Sequence, residues 1–261
     1  MSDKFIWYEL LTSDLDAAID FYSHVVGWTA ADHENSASTG FRYAIFSASG
    51  RSIGGGMALT DDMRAAGARP GWLGYVGVAD VDAKAAQIEQ AGGTLHVPPT
   101  DIPNVGRFAL ATDPGGAALY VMTPQPADGT TPQAELAPTA PGLISWHELY
   151  ASQGDEAAFG YYSGLFGWET FEVMDMGPMG YYRIFGADGV QLGGMMMKPD
   201  AMPGSAWGYY INVDGIDAAV ERVNARGGQV LMGPHEVPGG SWIIQGMDPQ
   251  GANFSLVSQT R

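Results

Sequence analysis

Cysteine is absent from the 261 residues, which removes disulfide frameworks, thiolate nucleophiles and thiolate metal sites together. Basic side chains are scarce: 12 Lys and Arg stand against 29 Asp and Glu, a net charge of −17. A surface of that sign repels phosphate backbones and anionic lipid, so neither nucleic acid nor membrane is an expected partner. No apolar run approaches the roughly 20 residues that span a bilayer. Met1-Ser2-Asp3-Lys4 does not lead a basic stretch into an apolar one, so cytoplasmic residence is the expectation. No Gly-x-Gly-x-x-Gly or phosphate-loop pattern occurs, and the nucleotide-binding folds therefore lack their fingerprint.

What the chain does have, it has twice. Trp7-Tyr8-Glu9-Leu10 returns as Trp146-His147-Glu148-Leu149, Gly27-Trp28 as Gly167-Trp168, and Gly92-Gly93 as Gly227-Gly228. Asp113-Pro114 returns as Asp248-Pro249. A tandem duplication of this length implies two domains and lets each half test what is claimed for the other. Between the copies, Thr123 to Pro141 is rich in Pro, Ala, Thr and Gln without apolar period. It reads as a linker over 125–140, between domains at 1–124 and 141–261.

Within a half, Phe5 to Leu11 is aromatic-rich and strand-like, and Ser13-Asp14 offers a helix N-cap. Leu15, Ala18, Ile19, Tyr22 and Val25 follow at helical spacing until Gly27. Phe41–Ser47 and Ile53–Leu59 read as strands. The rhythm then repeats: strand at Trp72–Val78, a helix capped by Asp80 with Val81, Ala85 and Ile88 on one face, and strands near Thr94–Val97, Arg107–Thr112 and Ala117–Met122. Ile216, Val220 and Val223 form the matching helical face before Gly227-Gly228. Strand-helix-strands twice per half argues for an α+β fold with mixed sheets over a doubly wound parallel sheet.

Ser13-Asp14-Leu15-Asp16-Ala17-Ala18-Ile19-Asp20-Phe21-Tyr22, ending at Gly27-Trp28, resembles the first strand-helix signature of the vicinal oxygen chelate superfamily. That group holds glyoxalase I, bleomycin-resistance proteins and extradiol dioxygenases. Asp80-Val81-Asp82 with Gly92-Gly93 resembles its second helix, and Asp113-Pro114-Gly115-Gly116 and Asp248-Pro249-Gln250-Gly251 resemble the turn before its last strand. The resemblance implies two tandem domains, each of paired βαβββ modules whose curled sheets form a cleft. It also implies a divalent metal held by His and Glu on cleft-facing strands, an ion that grips two neighbouring substrate oxygens.

The residues at those positions are of other types. The first-strand His falls at or beside Trp7 in one half and Trp146 or His147 in the other. The first-module Glu falls in Ile53-Gly54-Gly55-Gly56-Met57 and in Leu192-Gly193-Gly194-Met195. The fifth-strand His falls near Trp72-Leu73 and Trp207-Gly208, and the last-strand Glu at Tyr120 and Ser255. At most one ligand survives of eight, so no cofactor is expected, and a divalent metal is the disfavoured alternative.

His147 is the weak metal candidate. If Trp146 and Glu148 face the cleft, strand alternation turns His147 away, and that register is preferred because Trp-x-Glu occurs in both halves. Glu9 and Glu148 are then the candidate catalytic residues, since a carboxylate among aromatics is costly unless paired or functional. General base, acceptor for a ligand donor, partner of Arg42 or Arg183, and plain structural hydrogen bond all remain open for them. Trp7, Tyr43, Trp72, Arg107, Tyr120, Trp146, Tyr182, Trp207 and Trp242 are the candidate ligand-binding residues; core packing is the competing account for about half of the aromatics. Met195-Met196-Met197 reads as flexible core, and the glycine runs as bulges or close backbone approach.

The expectation is a monomeric or homodimeric binder of a small organic molecule, with bleomycin-resistance proteins as the functional model. A metal-dependent lyase, isomerase or dioxygenase with relocated ligands, and a non-catalytic scaffold, are the alternatives.

Overall fold

A computed structural model of the chain describes residues 3–34, 41–125 and 136–261. Among these the strands form two eight-stranded mixed sheets, built from four modules of one pattern. The first module has β1 (Lys4–Thr12), α1 (Leu15–Val26), β2 (Thr29–Asp32), β3 (Tyr43–Ala48) and β4 (Arg51–Ala58), followed by a short α2 (Asp61–Ala65). The second has β5 (Gly71–Gly77), α3 (Val81–Gln90), β6 (Thr94–Ile102), β7 (Gly106–Thr112) and β8 (Ala118–Pro124). The third has β9 (Ile144–Ala151), α4 (Asp155–Phe166), β10 (Glu169–Asp175), β11 (Tyr181–Ala187) and β12 (Val190–Met197). The fourth has β13 (Ala206–Asn212), α5 (Ile216–Ala225), β14 (Gln229–Glu236), β15 (Trp242–Met247) and β16 (Asn253–Ser258).

In every module the strand order is second, third, fourth, first. The first strand pairs parallel with the fourth, as β1 with β4 and β9 with β12, and the other pairs within each module are antiparallel. A parallel pair needs a crossover connection, and the helix after the first strand begins it. This is the α+β, mixed-sheet, paired βαβββ architecture read from the sequence.

Local chemistry explains the helix limits. Asp14 accepts from Ala17 N at 3.0 Å to start α1, and Gly27 ends it in the left-handed conformation at φ 77°. Asp80 starts α3 in the same way. The second half keeps the helices but not these caps: α4 and α5 begin after Gly154 and Gly215 without a side-chain cap. The buried stripe of α5 is Ile216, Ala219 and Val223, with Val220 half-buried, because 3.6 residues per turn bring Ala219 onto the stripe. Strand β6 runs past its expected end at Val97 to Ile102. Pro98 and Pro99 cannot donate to the ladder, and the register shifts between Val97 and Thr100 on this outer strand absorb them. Strands β2 and β10, mostly exposed, carried no clear alternation in the sequence.

Contacts divide the chain into two compact units, each taking modules from both halves of the repeat. The first lies within Met1–Ile6, Leu73–Ala134 and Trp146–Trp207; the second lies within Trp7–Trp72, Glu135–Ser145 and Gly208–Arg261. Of the expected linker, 126–135 falls outside the described residues.

One buried relay recurs in each unit. In the second, Trp72 Nε1 donates to Tyr22 Oη at 2.9 Å, and Tyr22 Oη donates to Asp248 Oδ2 at 3.1 Å. In the first, Trp207 Nε1 donates to Tyr162 Oη at 3.0 Å, and Tyr162 Oη donates to Asp113 Oδ2 at 3.0 Å. The other carboxylate oxygens accept Ala252 N and Ala117 N inside their own Asp-Pro turns. A helix of one module thus holds the last turn of another. The glycine pair at the end of the partner helix makes the approach close enough: a Cβ on Gly228 would meet the Phe21 ring, and one on Gly93 would meet Tyr161.

Burial raises Asp113 and Asp248 above the ordinary carboxylate value, so each depends on these donors. Tyr22→Phe or Tyr162→Phe is expected to lower stability by about 1–3 kcal/mol, because a buried carboxylate and an indole N–H each lose a partner. Denaturant unfolding followed by tryptophan fluorescence measures it, and an unchanged midpoint in both variants would contradict this role.

Candidate ligand site: two tryptophan–tyrosine–glutamate relays

Strand alternation sorts β1 into two faces. Leu10 pairs with Gly56, whose missing Cβ would meet Leu15 of α1 and the Phe46 ring, so that face is the helix side. Trp7 and Glu9 share the opposite face, where Glu9 pairs with Gly55. The same sorting applies to β9: Glu148 pairs with Gly194 and shares its face with Trp146 and Tyr150.

On these faces the duplicated Trp-x-Glu becomes a hydrogen-bonded unit. In the second unit of the fold, Trp7 Nε1 donates to Tyr43 Oη at 3.0 Å, and the Tyr43 hydroxyl is hydrogen-bonded to Glu9. In the first unit, Trp146 Nε1 donates to Tyr182 Oη at 2.8 Å, and Tyr182 Oη donates to Glu148 Oε1 at 2.9 Å. Tyr150 Oη donates to the other oxygen, Glu148 Oε2. Both carboxylates are buried, Glu9 at 6% and Glu148 at 7% exposure. Burial, and then the charge of Glu9, push the Tyr43 phenol well above its ordinary value, so it remains a donor.

The other sequence candidates go elsewhere. Trp72 and Trp207 sit in the buried relays to Asp248 and Asp113, among Tyr22, Trp28 and Phe46 or Tyr162, Trp168 and Phe185. Tyr120 stacks on Tyr75 at 4.1 Å, with Phe108 beside it, in an aromatic group of the first unit. Arg107 holds Asp82 at 2.7 Å and Asp101 at 2.9 Å along an open groove that Ile102, Pro103 and Asn104 also line. Trp242 lies under the Arg261 guanidinium. Arg42 pairs with Asp16 and Asp32, and Arg183 with Asp155, so neither carries the role of glutamate partner weighed for it.

His147 faces the helix side. Its ring stacks on Phe5 at 4.0 Å, close to Trp168 and Trp207 around the same phenyl group, and its Nδ1 lies 2.5 Å from Leu192 O. Desolvation lowers its pKa to about 4, so the ring is neutral and Nδ1–H donates to the carbonyl.

One residue of the site, Tyr150, has no signal in the repeat, because Leu11 stands in its place in the first half. Tyr75, on which Tyr120 stacks, has one: Gly74-Tyr75-Val76 is matched by Tyr209-Tyr210-Ile211.

The model of the Glyoxalase/Bleomycin resistance protein/Dioxygenase superfamily matches residues 4–121 and 147–256. The chain belongs to this superfamily. The match splits at the same place as the repeat, so both halves are glyoxalase-like. Similar curated proteins include "Putative glyoxylase CFP32" of Mycobacterium tuberculosis, 32% identical over 253 residues, covering 96% of this chain and 93% of that protein. "Anthracycline biosynthesis protein DnrV" of Streptomyces peucetius is 30% identical over 268 residues, covering 96% and 91%. In fold, the chain is similar to the Mn(II)-bound glyoxalase from Novosphingobium aromaticivorans, with TM-score 0.67, 16% identity and coverage of 100% and 84%. The 2,3-dioxygenase LapB from Pseudomonas sp. KL28 gives TM-score 0.65 at 14% identity, covering 98% and 91%.

The superfamily implies a divalent metal, and the residues present do not fit one. Indole N–H groups, which are donors only, stand at the first-strand positions through Trp7 and Trp146, and His147 beside the latter faces the helix side against Phe5. Gly55 and Gly194 stand within the first-module positions, and Tyr120 and Ser255 at the last. Among the described residues no three His, Cys, Asp or Glu side chains come together as a metal would require.

The position of His147 has a titration consequence. A folded-state pKa near 4 against 6.5 in the unfolded chain means that the unfolded chain binds more protons between those values. Its contribution to stability is therefore lost as pH falls through that window. Imidazole NMR should show one ring titrating near 4 that disappears in His147→Tyr; titration of that ring near 6.5 would contradict the buried placement.

Proposed function

We propose that this chain binds a small organic molecule against the aromatic faces beside Glu9 and Glu148, without using a metal. The observation that carries the reading is the relay itself: Trp, Tyr and Glu linked in the same order, on the same sheet face, in two copies. Indole and phenol rings give flat apolar area at small entropic cost, and their polar atoms orient a ligand. A buried carboxylate held by phenol donors is a fixed acceptor for a ligand N–H or O–H. Duplication matters because a structural accident in one half need not recur in the other.

A second reading, an enzyme of glyoxalase or dioxygenase type, draws on the relative named a putative glyoxylase, 32% identical. In that reading Glu9 and Glu148 act as general bases toward a bound substrate, since each is the terminal acceptor of its relay.

The binding reading is tested with acridine, a flat tricycle, at a pH where it is neutral. Trp7→Ala combined with Trp146→Ala should weaken its binding about tenfold or more, because two aromatic walls are removed. Titration followed by ligand fluorescence measures this. Equal affinity for the native chain and the double variant would contradict the siting.

A further inference from the structure

The two relays depend on positions that carry no side chain. Tyr43 lies on β3 and Glu9 on β1, with β4 between them; Tyr182 lies on β11 and Glu148 on β9, with β12 between them. To reach its carboxylate, each phenol ring must cross the intervening strand. It does so over Gly55, the strand partner of Glu9, and over Gly194, the strand partner of Glu148. A Cβ built on either glycine would overlap the hydroxyl end of the tyrosine ring. Any other residue there therefore displaces the phenol, and with it the hydrogen bond to glutamate. Both lie within the stretches, Ile53–Met57 and Leu192–Met195, where the superfamily implies a ligating carboxylate.

The protons in each relay all run one way. Trp7 and Trp146 give theirs to the tyrosine oxygens, and Tyr182 and Tyr150 give theirs to Glu148. Each relay thus runs toward a carboxylate, a group that accepts hydrogen bonds when ionised. Beside it stand half-buried Trp and Tyr rings, a kind of surface that attracts cations, in a chain of net charge −17 that draws cations at longer range.

We propose that Gly55 and Gly194 set the ligand class of these sites: by seating a phenol ring over the strand beside each glutamate, they make each an acceptor site for amine-bearing, cationic aromatic molecules and against anionic ones. The inference rests on the ligand-binding reading above and adds the class of ligand and the residues that select it.

The test uses three tricycles of one shape: acridine, the cation 9-aminoacridine and the anion acridine-9-carboxylate. The intact chain should bind the amine about tenfold or more tighter than the carboxylate, the margin of one charge-assisted hydrogen bond. Gly55→Ala with Gly194→Ala should remove that preference while neutral acridine still binds. Tyr43→Phe with Tyr182→Phe keeps the rings and removes the hydroxyls, and should reduce the preference without a change in the strands. Circular dichroism checks the fold of each variant, and the Tyr→Phe pair carries the test if the Gly→Ala pair does not fold. If no tricycle binds, the ligand-binding reading itself falls. If amine and carboxylate bind alike to the intact chain, the class is wrong while binding stands. If folded Gly→Ala variants keep the full preference, the selecting role of the glycines is overturned.

Discussion

A carboxylate buried beside a tyrosine is the constraint on which both units of this fold depend. Asp113 and Asp248 are taken out of water, and burial raises both above their ordinary value. Such a group is tolerated only where donors converge on it. A backbone N–H from its own turn supplies one, and the hydroxyl of Tyr162 or Tyr22 supplies another from a helix in a different module. Trp207 and Trp72 then fix the tyrosine oxygens. Satisfying the aspartate therefore joins the modules of a unit, and the glycine pairs after α3 and α5 let the helices approach. Two of the strongest sequence signatures, Asp-Pro and Gly-Gly, belong to this one arrangement.

The same chemical device appears on the opposite faces of the sheets. Trp7, Tyr43 and Glu9 repeat the order indole, phenol, carboxylate, as do Trp146, Tyr182 and Glu148. The setting differs. The aspartate relays lie on the helix side, among fully enclosed rings and backbone amides of the turn. The glutamate relays lie away from the helix, and their tyrosines and tryptophans are only half-buried. One device thus joins modules on one face and, on the other, holds a buried glutamate beside half-buried rings. The two glutamate copies have also diverged: Glu148 takes a second phenol from Tyr150, and Leu11 stands at the equivalent place beside Glu9.

Much of this was legible because the repeat acts as an internal control. Helix caps at Asp14 and Asp80, left-handed glycines at Gly27 and Gly167, and the face shared by Trp7 and Glu9 follow from pattern and alternation alone. The orientation of His147 followed from the same alternation. What could not be read was which partner each aromatic takes. Trp7 and Trp72 look alike in sequence, each a tryptophan on the first strand of a strand-helix-strands module. One meets Tyr43 beside Glu9 and the other Tyr22 beside Asp248, and that depends on pairing between segments far apart in the chain. Tyr150 was invisible for the opposite reason, since a residue present in one copy fails a test that demands two. The glycines at 55 and 194 were legible as close approach, but the ring that approaches was not.

The central claim is that Glu9 and Glu148 are hydrogen-bonded acceptors for a ligand and not metal ligands. Equilibrium dialysis of the chelator-stripped protein against Mn(II), Fe(II) and Zn(II), with metal content read by mass spectrometry, tests it most directly. The account predicts no stoichiometric retention of any of the three, and no difference between the native chain and Glu9→Gln with Glu148→Gln. One equivalent of metal per site, retained by the native chain and lost in that double variant, would contradict it.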